Sequence, residues 1–433
     1  MKTTPARSAL RRAAAITAVG AVALGLAACS GGGAGGAVDA EEIPVEGVDD
    51  GSTLTLWTRA PIEAQAHLLV DAYNETHENQ VELTVVPNDD YVAKVGAAAG
   101  SGELPDLFAA DVVYVPNWAD QGLFADMAPL IDGLDYADQI NEGHMRAGTI
   151  DDAEYTLPFV LDLSVMMWNK DLVEQAGFDP EQAPETLADF AEIARAVDGL
   201  GLDGVSGTAT GLNCGGCLVF TWFPSVWASG EEVLSEDGTE SLLDAEVPAE
   251  IYDTWRGLAE DGVLAPGSED ETGATWVAAF QEGKVGIMPY PATLLPALEF
   301  DAGVAGIPGV DGGASTFVGG DSIGISKDSE LAPQAWNFLS WLMSEDAQVD
   351  VLAAGGNAVS RADLTDNEYA SEDPRLVAIN EVATQGSTPV ARNFQQAFNA
   401  VGSPWVTLVR NAVLGDGGTL EDDNALIDEI LAQ

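Results

Sequence analysis

From Thr53 onward the sequence alternates between short apolar strand patterns and longer segments with helical periodicity. Residues 54–57 and 81–86 have the composition of strands, and apolar residues recur at helical spacing over 62–73 between them. A third apolar strand pattern covers residues 107–110. Strand–helix alternation with short connections predicts an α/β fold in which helices flank a mostly parallel sheet.

Length and charge limit the organisation and the partners. The chain has 433 residues, which is long for one hydrophobic core and suits two domains. Apolar residues make up 46% of it, so we expect a folded protein despite 71 acidic against 16 basic residues. So acidic a surface repels nucleic acid and anionic lipid headgroups, and we predict neither as a partner.

The first residues have the layout of an export signal. Basic residues precede an apolar run over 13–28, which is shorter than the roughly 20 residues that a membrane span needs. The run ends in Leu-Ala-Ala-Cys29, which resembles a bacterial lipobox. We therefore predict a lipoprotein signal peptide over 1–28, lipid on Cys29 and a flexible acidic, Gly-rich tether over 29–51. An ordinary signal peptide with a free cysteine is the alternative.

The spacing of Cys214 and Cys217 is compatible with half a zinc site, a thiol redox pair or a small disulfide. The three histidines are scattered without ligand spacing, and the Gly-Gly bridge is not typical of a redox motif. Export would bring both thiols into an oxidising compartment, so the pattern favours a disulfide between Cys214 and Cys217. We predict no metal and no cofactor.

Five segments carry a family resemblance. In chain order they are LTLWT with the following LLVDAYNETHENQVELTVV, then LPDLFAADVVYVPNWADQGLFADMAPLI, YTLPFVLDLSVMMWNKDLVEQAGF, FQEGKVGIMPY and GGDSIGISKDSELAPQAWNFLSWLMSEDAQ. Together they resemble the extracellular sugar-binding proteins of ABC importers, the class of maltose-binding protein. The resemblance runs from about Thr53 to the C-terminus, whereas the acidic surface and the paired cysteines are not typical of the class.

The resemblance implies a two-lobe periplasmic-binding-protein fold of type II, in which hinge strands join two α/β lobes. The implied first lobe comprises residues 52–158 plus 290–318. The implied second lobe comprises residues 160–286 plus 322–433. Each lobe would therefore be built from discontinuous segments of the chain.

The implied function is capture of a neutral sugar or short oligosaccharide by a monomer, which delivers it to ABC permease subunits. The protein would be extracytoplasmic, held by lipid at the outer face of the bacterial cytoplasmic membrane, and not an enzyme. A polyol, glycerophosphodiester or peptide is the alternative solute, although a phosphate ligand would need several basic groups. A secreted glycoside hydrolase is the remaining alternative, since 71 acidic residues could supply a carboxylate pair.

A sugar site needs carboxylates, amides or arginine beside aromatic rings. Asp162 is the main candidate, because the resemblance places it where the class has a sugar-contacting carboxylate, although a structural hinge carboxylate is the alternative. The other candidate ligands are Arg59, Asp111 and Trp57 after the first strands, Asn213, Phe220, Trp222 and Trp227 near the paired cysteines, Tyr290, Gly320 and Asp321 at the implied crossings, and Trp405. Asp111 could equally cap a helix, and some of the aromatics could be core residues.

Overall fold

A computed structural model describes residues 43–415 and 417–433. The predicted signal peptide and Cys29 lie outside the described residues. Within those two ranges, none of the helices combines the length and apolarity that spanning a bilayer requires.

The described chain alternates strands and helices, as the sequence predicts. The strands are β1 (Thr53–Arg59), β2 (Gln80–Val86), β3 (Leu107–Asp111), β4 (Thr149–Ile150), β5 (Ala153–Glu154), β6 (Leu157–Asn169), β7 (Ile287–Pro291), β8 (Ala302–Ala305), β9 (Ile307–Pro308), β10 (Ala314–Ser315) and β11 (Val318–Ile325). The helices are α1 (Glu63–Thr76), α2 (Asn88–Ser101), α3 (Val115–Asp120), α4 (Ala128–Ile131), α5 (Glu142–Ala147), α6 (Lys170–Gln175), α7 (Leu187–Asp198), α8 (Gly215–Ala228), α9 (Glu246–Glu260), α10 (Ala278–Gln281), α11 (Ala332–Leu342), α12 (Glu368–Glu372), α13 (Pro374–Ala383), α14 (Pro404–Leu414) and α15 (Leu420–Leu431).

One sheet runs through the described chain in the order β2-β1-β3-β11-β6-β7, with β8 also paired to β6. The strands β1, β2 and β3 are parallel, whereas β11 is antiparallel to both β3 and β6. The first residues of β6 pair with β11, and its later residues pair with β7 and β8. The strands β6 and β11 therefore pass from one half of the sheet to the other, and the α/β prediction is confirmed.

Separate hydrophobic cores flank the two halves of this sheet. Around β1, β2 and β3, one core contains Leu56 and Trp336, and a second contains Phe108. Around β7 and β8, the cores contain Trp255 and Met167. We call the body around β1–β3 the first lobe and the body around β7 and β8 the second lobe.

The packing differs from the predicted lobe boundaries in two segments. Residues 290–318 contain β8 and part of β7, which pair with β6 and pack in the cores of the second lobe. Residues 323–352 pack in a core of the first lobe, because β11 pairs with β3 and leads into α11. Residue 290 therefore lies inside the second lobe, and the strands that pass between the lobes are β6 and β11.

The folded body begins earlier than the predicted tether would allow. Ile43 packs against a core of the first lobe, and the indole nitrogen of Trp336 donates to the carbonyl of Val45 at 2.7 Å. The fully buried Asn79 accepts, through Oδ1, three successive backbone N–H groups of residues 50–52 at 3.1 Å each. Residues 43–51 are therefore docked on the first lobe rather than part of a flexible tether.

Candidate functional site

Three charged side chains meet where β1 and β3 end, because parallel strands bring their carboxyl ends to the same edge of a sheet. Arg59 is the last residue of β1, Asp111 is the last residue of β3, and Asp321 of β11 lies opposite Asp111. The Arg59 guanidinium reaches Asp111 Oδ2 at 3.1 Å through Nη1 and Asp321 Oδ1 at 2.5 Å through Nη2. Its Nε also donates to Asp321 Oδ1 at 2.8 Å.

This ion network is largely removed from water. The side chain of Asp321 is 0% exposed and that of Arg59 is 11% exposed. Burial alone would lower the pKa of Arg59, but Asp111 and Asp321 outweigh it and raise that pKa above its ordinary value. Burial raises the pKa of Asp321 to about 6, although Arg59 opposes the shift. Oδ2 of Asp321 is buried without a hydrogen-bond partner in the described structure.

Asp111 caps the turn that follows β3 and also forms an ion pair with Arg59. Its Oδ1 accepts the backbone N–H of Val113 at 3.3 Å, which caps the turn after β3, while Oδ2 binds Arg59. The side chain remains 20% exposed. The cap and the ion pair hold the carboxylate in place at the edge of the sheet, and its exposed part is available to a ligand.

Asp162 lies beside this network on the hinge strand β6. It is half-buried, whereas the other residues of β6 are buried, and its Oδ1 accepts the hydroxyl of Thr293 at 2.9 Å. Burial raises the pKa of Asp162 to about 6, with Thr293 and then Arg59 opposing the shift and Asp321 adding to it. Asp162 pairs in register with Gly319, which has no side chain to cover it. The carboxylate is thus partly open at the junction of the lobes.

An aromatic wall from the second lobe faces this junction. The ring of Phe220, on α8, is half-buried and lies 5.6 Å from that of Phe317. A Cβ on Gly319 would come within 3.2 Å of the Phe220 ring, so this ring lies directly against the hinge strand beside Asp162. Trp227 is also half-buried, 5.9 Å from Phe317, with its indole nitrogen unpartnered in the described structure.

Tyr114 belongs to this site but was not among the sequence candidates. It follows Asp111 by three residues, on the turn after β3, and it packs against a core of the second lobe. Burial, and then the charge of Asp111, raise the pKa of the Tyr114 phenol to about 12. The sequence signal that could have identified Tyr114 as a site residue is its position three residues after a carboxylate at the end of a strand. This signal is weak, because the same spacing is common where helices begin. The lobes also meet nearby through Asp120 and Arg392, whose side chains are 2.9 Å apart.

Three predicted ligand residues are core residues in this structure. Trp222 is 2% exposed and stacks on Trp255, with ring centroids 5.0 Å apart and an interplanar angle of 11°. Trp405 is 1% exposed within the same core. Tyr290 is fully buried in β7, 4.8 Å from the ring of Phe280, because β7 pairs with β6 inside the second lobe. None of these rings presents a face to the junction of the lobes.

The other predicted residues have mixed placements. Trp57 is half-buried against a core of the first lobe, and the ammonium of Lys94 lies 4.0 Å above its ring. Asn213 is exposed in the loop before α8. Gly320 has a φ of +99°, and a side chain there would collide with the carbonyl of Val160. Gly320 is thus required by the backbone of the crossing strand.

The predicted disulfide is confirmed. Cys214 and Cys217 are bonded, with their Cα atoms 5.3 Å apart, at the start of α8. Gly273 of the neighbouring loop has a φ of +107° and packs on the bridge, so that a Cβ there would lie 2.8 Å from the sulfur of Cys214. Glu271 shapes that loop by accepting the backbone N–H groups of Gly273 at 2.8 Å and Thr275 at 3.1 Å. The disulfide therefore braces the loop as well as the helix start.

Metal binding has no evident place in this site. Across residues 43–415 and 417–433, no three His, Cys, Asp or Glu side chains form a group that could hold a metal ion. Arg59 occupies the space between Asp111 and Asp321 that a cation would take.

Comparison with known proteins identifies relatives of this chain. The family model for bacterial extracellular solute-binding proteins matches residues 69–378. A curated relative in Brucella abortus (strain 2308) is 26% identical over 280 residues, which cover 61% of this chain. The alignment spans 65% of that relative's length.

Solved structures share the fold over most of the chain. The cyclic alpha-maltosyl-1,6-maltose binding protein of Arthrobacter globiformis superposes with a TM-score of 0.74 at 23% identity, covering 88% of this chain and 100% of that one. An ABC transporter solute-binding protein of Thermotoga lettingae, bound with alpha-D-tagatose, gives 0.76 at 19% identity, with coverages of 88% and 100%. One of Agrobacterium radiobacter, in complex with ribitol, gives 0.72 at 18% identity, with coverages of 88% and 98%. The predicted type II periplasmic-binding-protein fold is confirmed.

Proposed function

The chain belongs to the bacterial extracellular solute-binding proteins, and on this premise we propose that it captures a neutral sugar or short oligosaccharide between its lobes for an ABC permease. The observation that carries the proposal is that Asp111 and Asp321 hold Arg59 beside Asp162, and that the ring of Phe220 lies against Gly319 on the neighbouring strand. Carboxylates accept hydrogen bonds from sugar hydroxyls, and an aromatic ring covers the C–H face of a sugar.

The charges at the junction favour a neutral ligand. Arg59 is the cation of this site, and both of its partners are carboxylates within 3.1 Å. An anionic ligand would have to compete with Asp111 and Asp321 for that guanidinium and would also face the charge of Asp162. A hydroxyl, in contrast, can donate to a carboxylate without disturbing the ion pairs.

The range of relatives leaves the size of the solute open within this class. The neighbours named above bind a cyclic maltosyl-maltose, tagatose and ribitol, which are all neutral and rich in hydroxyl groups. A polyol is therefore the nearest alternative to a sugar. A glycerophosphodiester or a peptide is less compatible with the carboxylates of this site. Hydrolysis of a glycoside would be an enzymatic activity, whereas the family consists of binding proteins.

Lobe closure supplies the mechanism. Asp111 belongs to the first lobe, Phe220 to the second, and Asp162 to a strand that joins them. A solute that contacts all three gains its full binding energy only when the lobes are together. Its differential affinity for the two arrangements then shifts the population from open to closed, and the permease would bind the closed form.

A thermal-shift screen tests the proposal. The purified protein is heated with mono- and oligosaccharides, polyols and short peptides, each at two salt concentrations. A ligand present at a hundred times its Kd stabilises by about 2.7 kcal/mol, which raises the melting midpoint visibly. We expect at least one sugar or polyol whose stabilising effect is lost in Asp162→Ala and is kept in Glu260→Ala, which changes an exposed carboxylate on α9.

Three other results of the screen would contradict the proposal in different ways. A response only to peptides would move the function to another solute class. No response from a folded sample would contradict the receptor function. Turnover of a chromogenic glycoside would favour the hydrolase instead.

We further propose that lipid on Cys29 holds the protein at the outer face of the bacterial cytoplasmic membrane and that it acts as a monomer. The supporting observations are the lipobox-like Leu-Ala-Ala-Cys29 and the family of extracellular proteins. Cys29→Ala should release the protein from membranes into the soluble extracellular fraction. Membrane retention of that variant would contradict lipidation at this cysteine.

A further inference from the structure

The hinge strands have a second face, opposite the carboxylates. Neighbouring residues of a strand point to opposite sides, so Leu161 faces away from Asp162 on β6. On β11, Val318 and Asp321 are three residues apart and likewise point to opposite sides. A cavity of about 380 Å³ lies over Leu161 and Val318. It therefore shares the hinge strands with the carboxylate site but lies behind it.

The walls of this rear cavity come from both lobes. Residues 138–143 and Arg146 form one wall, on and before α5, and residues 380–388 form the other. The walls touch where Nη2 of Arg146 donates to the carbonyl of Thr388 at 2.8 Å. The spacing between the walls thus depends on how the two lobes are oriented.

The lining is polar but carries little net charge. Its amide and hydroxyl groups include those of Gln139, Asn141, Thr365, Asn380, Thr384 and Ser387. Ser360 also lines the cavity, is 2% exposed, and has a hydroxyl with no hydrogen-bond partner in the described structure. That hydroxyl is buried beneath the surface of the lining, so the polar groups that a bound molecule would meet are the amides and hydroxyls named above.

We infer that the rear cavity is a second binding site, for a compact neutral solute rich in hydroxyl groups. The volume lies within the 300–1,000 Å³ that is typical of small-molecule pockets. Arg146 is offset by Asp138 and Glu142 in the lining, so the cavity favours neither an anion nor a strong cation. The side-chain amides of Gln139 and Asn141 and the hydroxyl of Ser387 would bind the solute's hydroxyl groups.

Occupation of the rear cavity is coupled to the carboxylate site, and this step rests on the proposed function. In this structure the lobes touch beyond the end of β3, through Asp120 and Arg392, while the rear cavity is open. A solute that bridges the rear walls stabilises this arrangement and therefore raises the affinity for a ligand between the lobes. By thermodynamic linkage, a ligand bound between the lobes must raise the affinity of the rear cavity for its solute by the same factor. Such factors are typically about 5- to 150-fold.

The test uses erythritol and myo-inositol as probes on the purified Asp162→Ala protein, in which the carboxylate site is disabled. Ala383→Phe fills the rear cavity, and Ala378→Phe on the same helix is the matched control, since Ala378 is half-buried but not part of the lining. Thr384→Trp is a second filling variant, at an exposed rim position that should not affect folding. Millimolar probe concentrations avoid the stabilisation by exclusion that concentrated polyols cause.

We expect at least one probe to raise the melting midpoint of the Asp162→Ala protein and of the protein that carries both Asp162→Ala and Ala378→Phe. The probe should not raise the midpoint when Asp162→Ala is combined with Ala383→Phe or with Thr384→Trp. The inference is overturned if neither probe shifts the Asp162→Ala protein, or if the shift persists when Thr384→Trp fills the cavity. A failure of the sugar screen at the carboxylate site would leave this result unaffected. The coupling is refuted if a probe binds in the rear cavity but does not change the affinity of the carboxylate site for its sugar. This comparison uses the protein with Asp162 intact.

Discussion

Replacing Asp162 with asparagine should stabilise the ligand-free protein while it removes ligand binding. Burial raises the pKa of this carboxyl from 3.8 to about 6, because Thr293 and Arg59 offset only part of the desolvation. Between these two values the folded protein holds a proton that the unfolded chain has lost. The free energy of unfolding therefore falls as pH rises through this window, and the loss is complete above about pH 6.

The magnitude follows from the same two values. The gap between 3.8 and about 6 corresponds to on the order of 3 kcal/mol. The carboxylate keeps some exposure to solvent, which reduces this cost, so we expect Asp162→Asn to gain about 1–2 kcal/mol above pH 7. Asparagine can still accept the hydroxyl of Thr293 but does not titrate.

Urea denaturation at constant ionic strength, from pH 4 to pH 8, measures the effect as a difference between the two proteins. Taking the difference removes the pH response of the other acidic groups. We expect a small difference at pH 4 that grows toward pH 7 and then stays constant, together with loss of sugar binding by calorimetry. The exposed control Glu260→Gln should show no such growth. A difference that is independent of pH, or a less stable Asp162→Asn protein at pH 8, would refute the reasoning.

Other perturbations test the ion network, the disulfide and the crossing strand. Arg59→Met leaves the fully buried Asp321 without its cation, so the free energy of unfolding in urea at pH 8 should fall by about 3–5 kcal/mol. The decrease should be smaller at pH 5, where Asp321 is protonated. An equal decrease at both pH values would contradict this. Changing Cys214 and Cys217 to serine should cost about 2 kcal/mol and raise deuterium exchange over residues 267–275, whereas unchanged exchange would argue against a brace. Gly320→Ala should lower stability by more than about 1 kcal/mol, seen as a lower melting midpoint, because of its positive φ and the close carbonyl of Val160.

The sequence by itself determined the fold class and the charged part of the site. Strand and helix periodicities are local, so β1, β2 and β3 could be recognised one by one. Parallel strands end at a common edge, which is why Arg59 and Asp111 could be placed together without coordinates. Asp162 was selected through the family resemblance, which places it where the class has a sugar-contacting carboxylate. The disulfide was favoured by the cysteine spacing together with the expected export.

Only the tertiary structure decided which aromatic residues face the junction and where the lobes divide. The helix α8 is buried on most sides, so periodicity could not distinguish Trp222, which stacks on α9, from Phe220, which lies against the hinge. Residues 290–318 stay in the second lobe because β7 and β8 pair with β6, and such pairing joins residues more than a hundred positions apart. Both decisions depend on contacts between distant segments, which leave no periodic trace in the sequence.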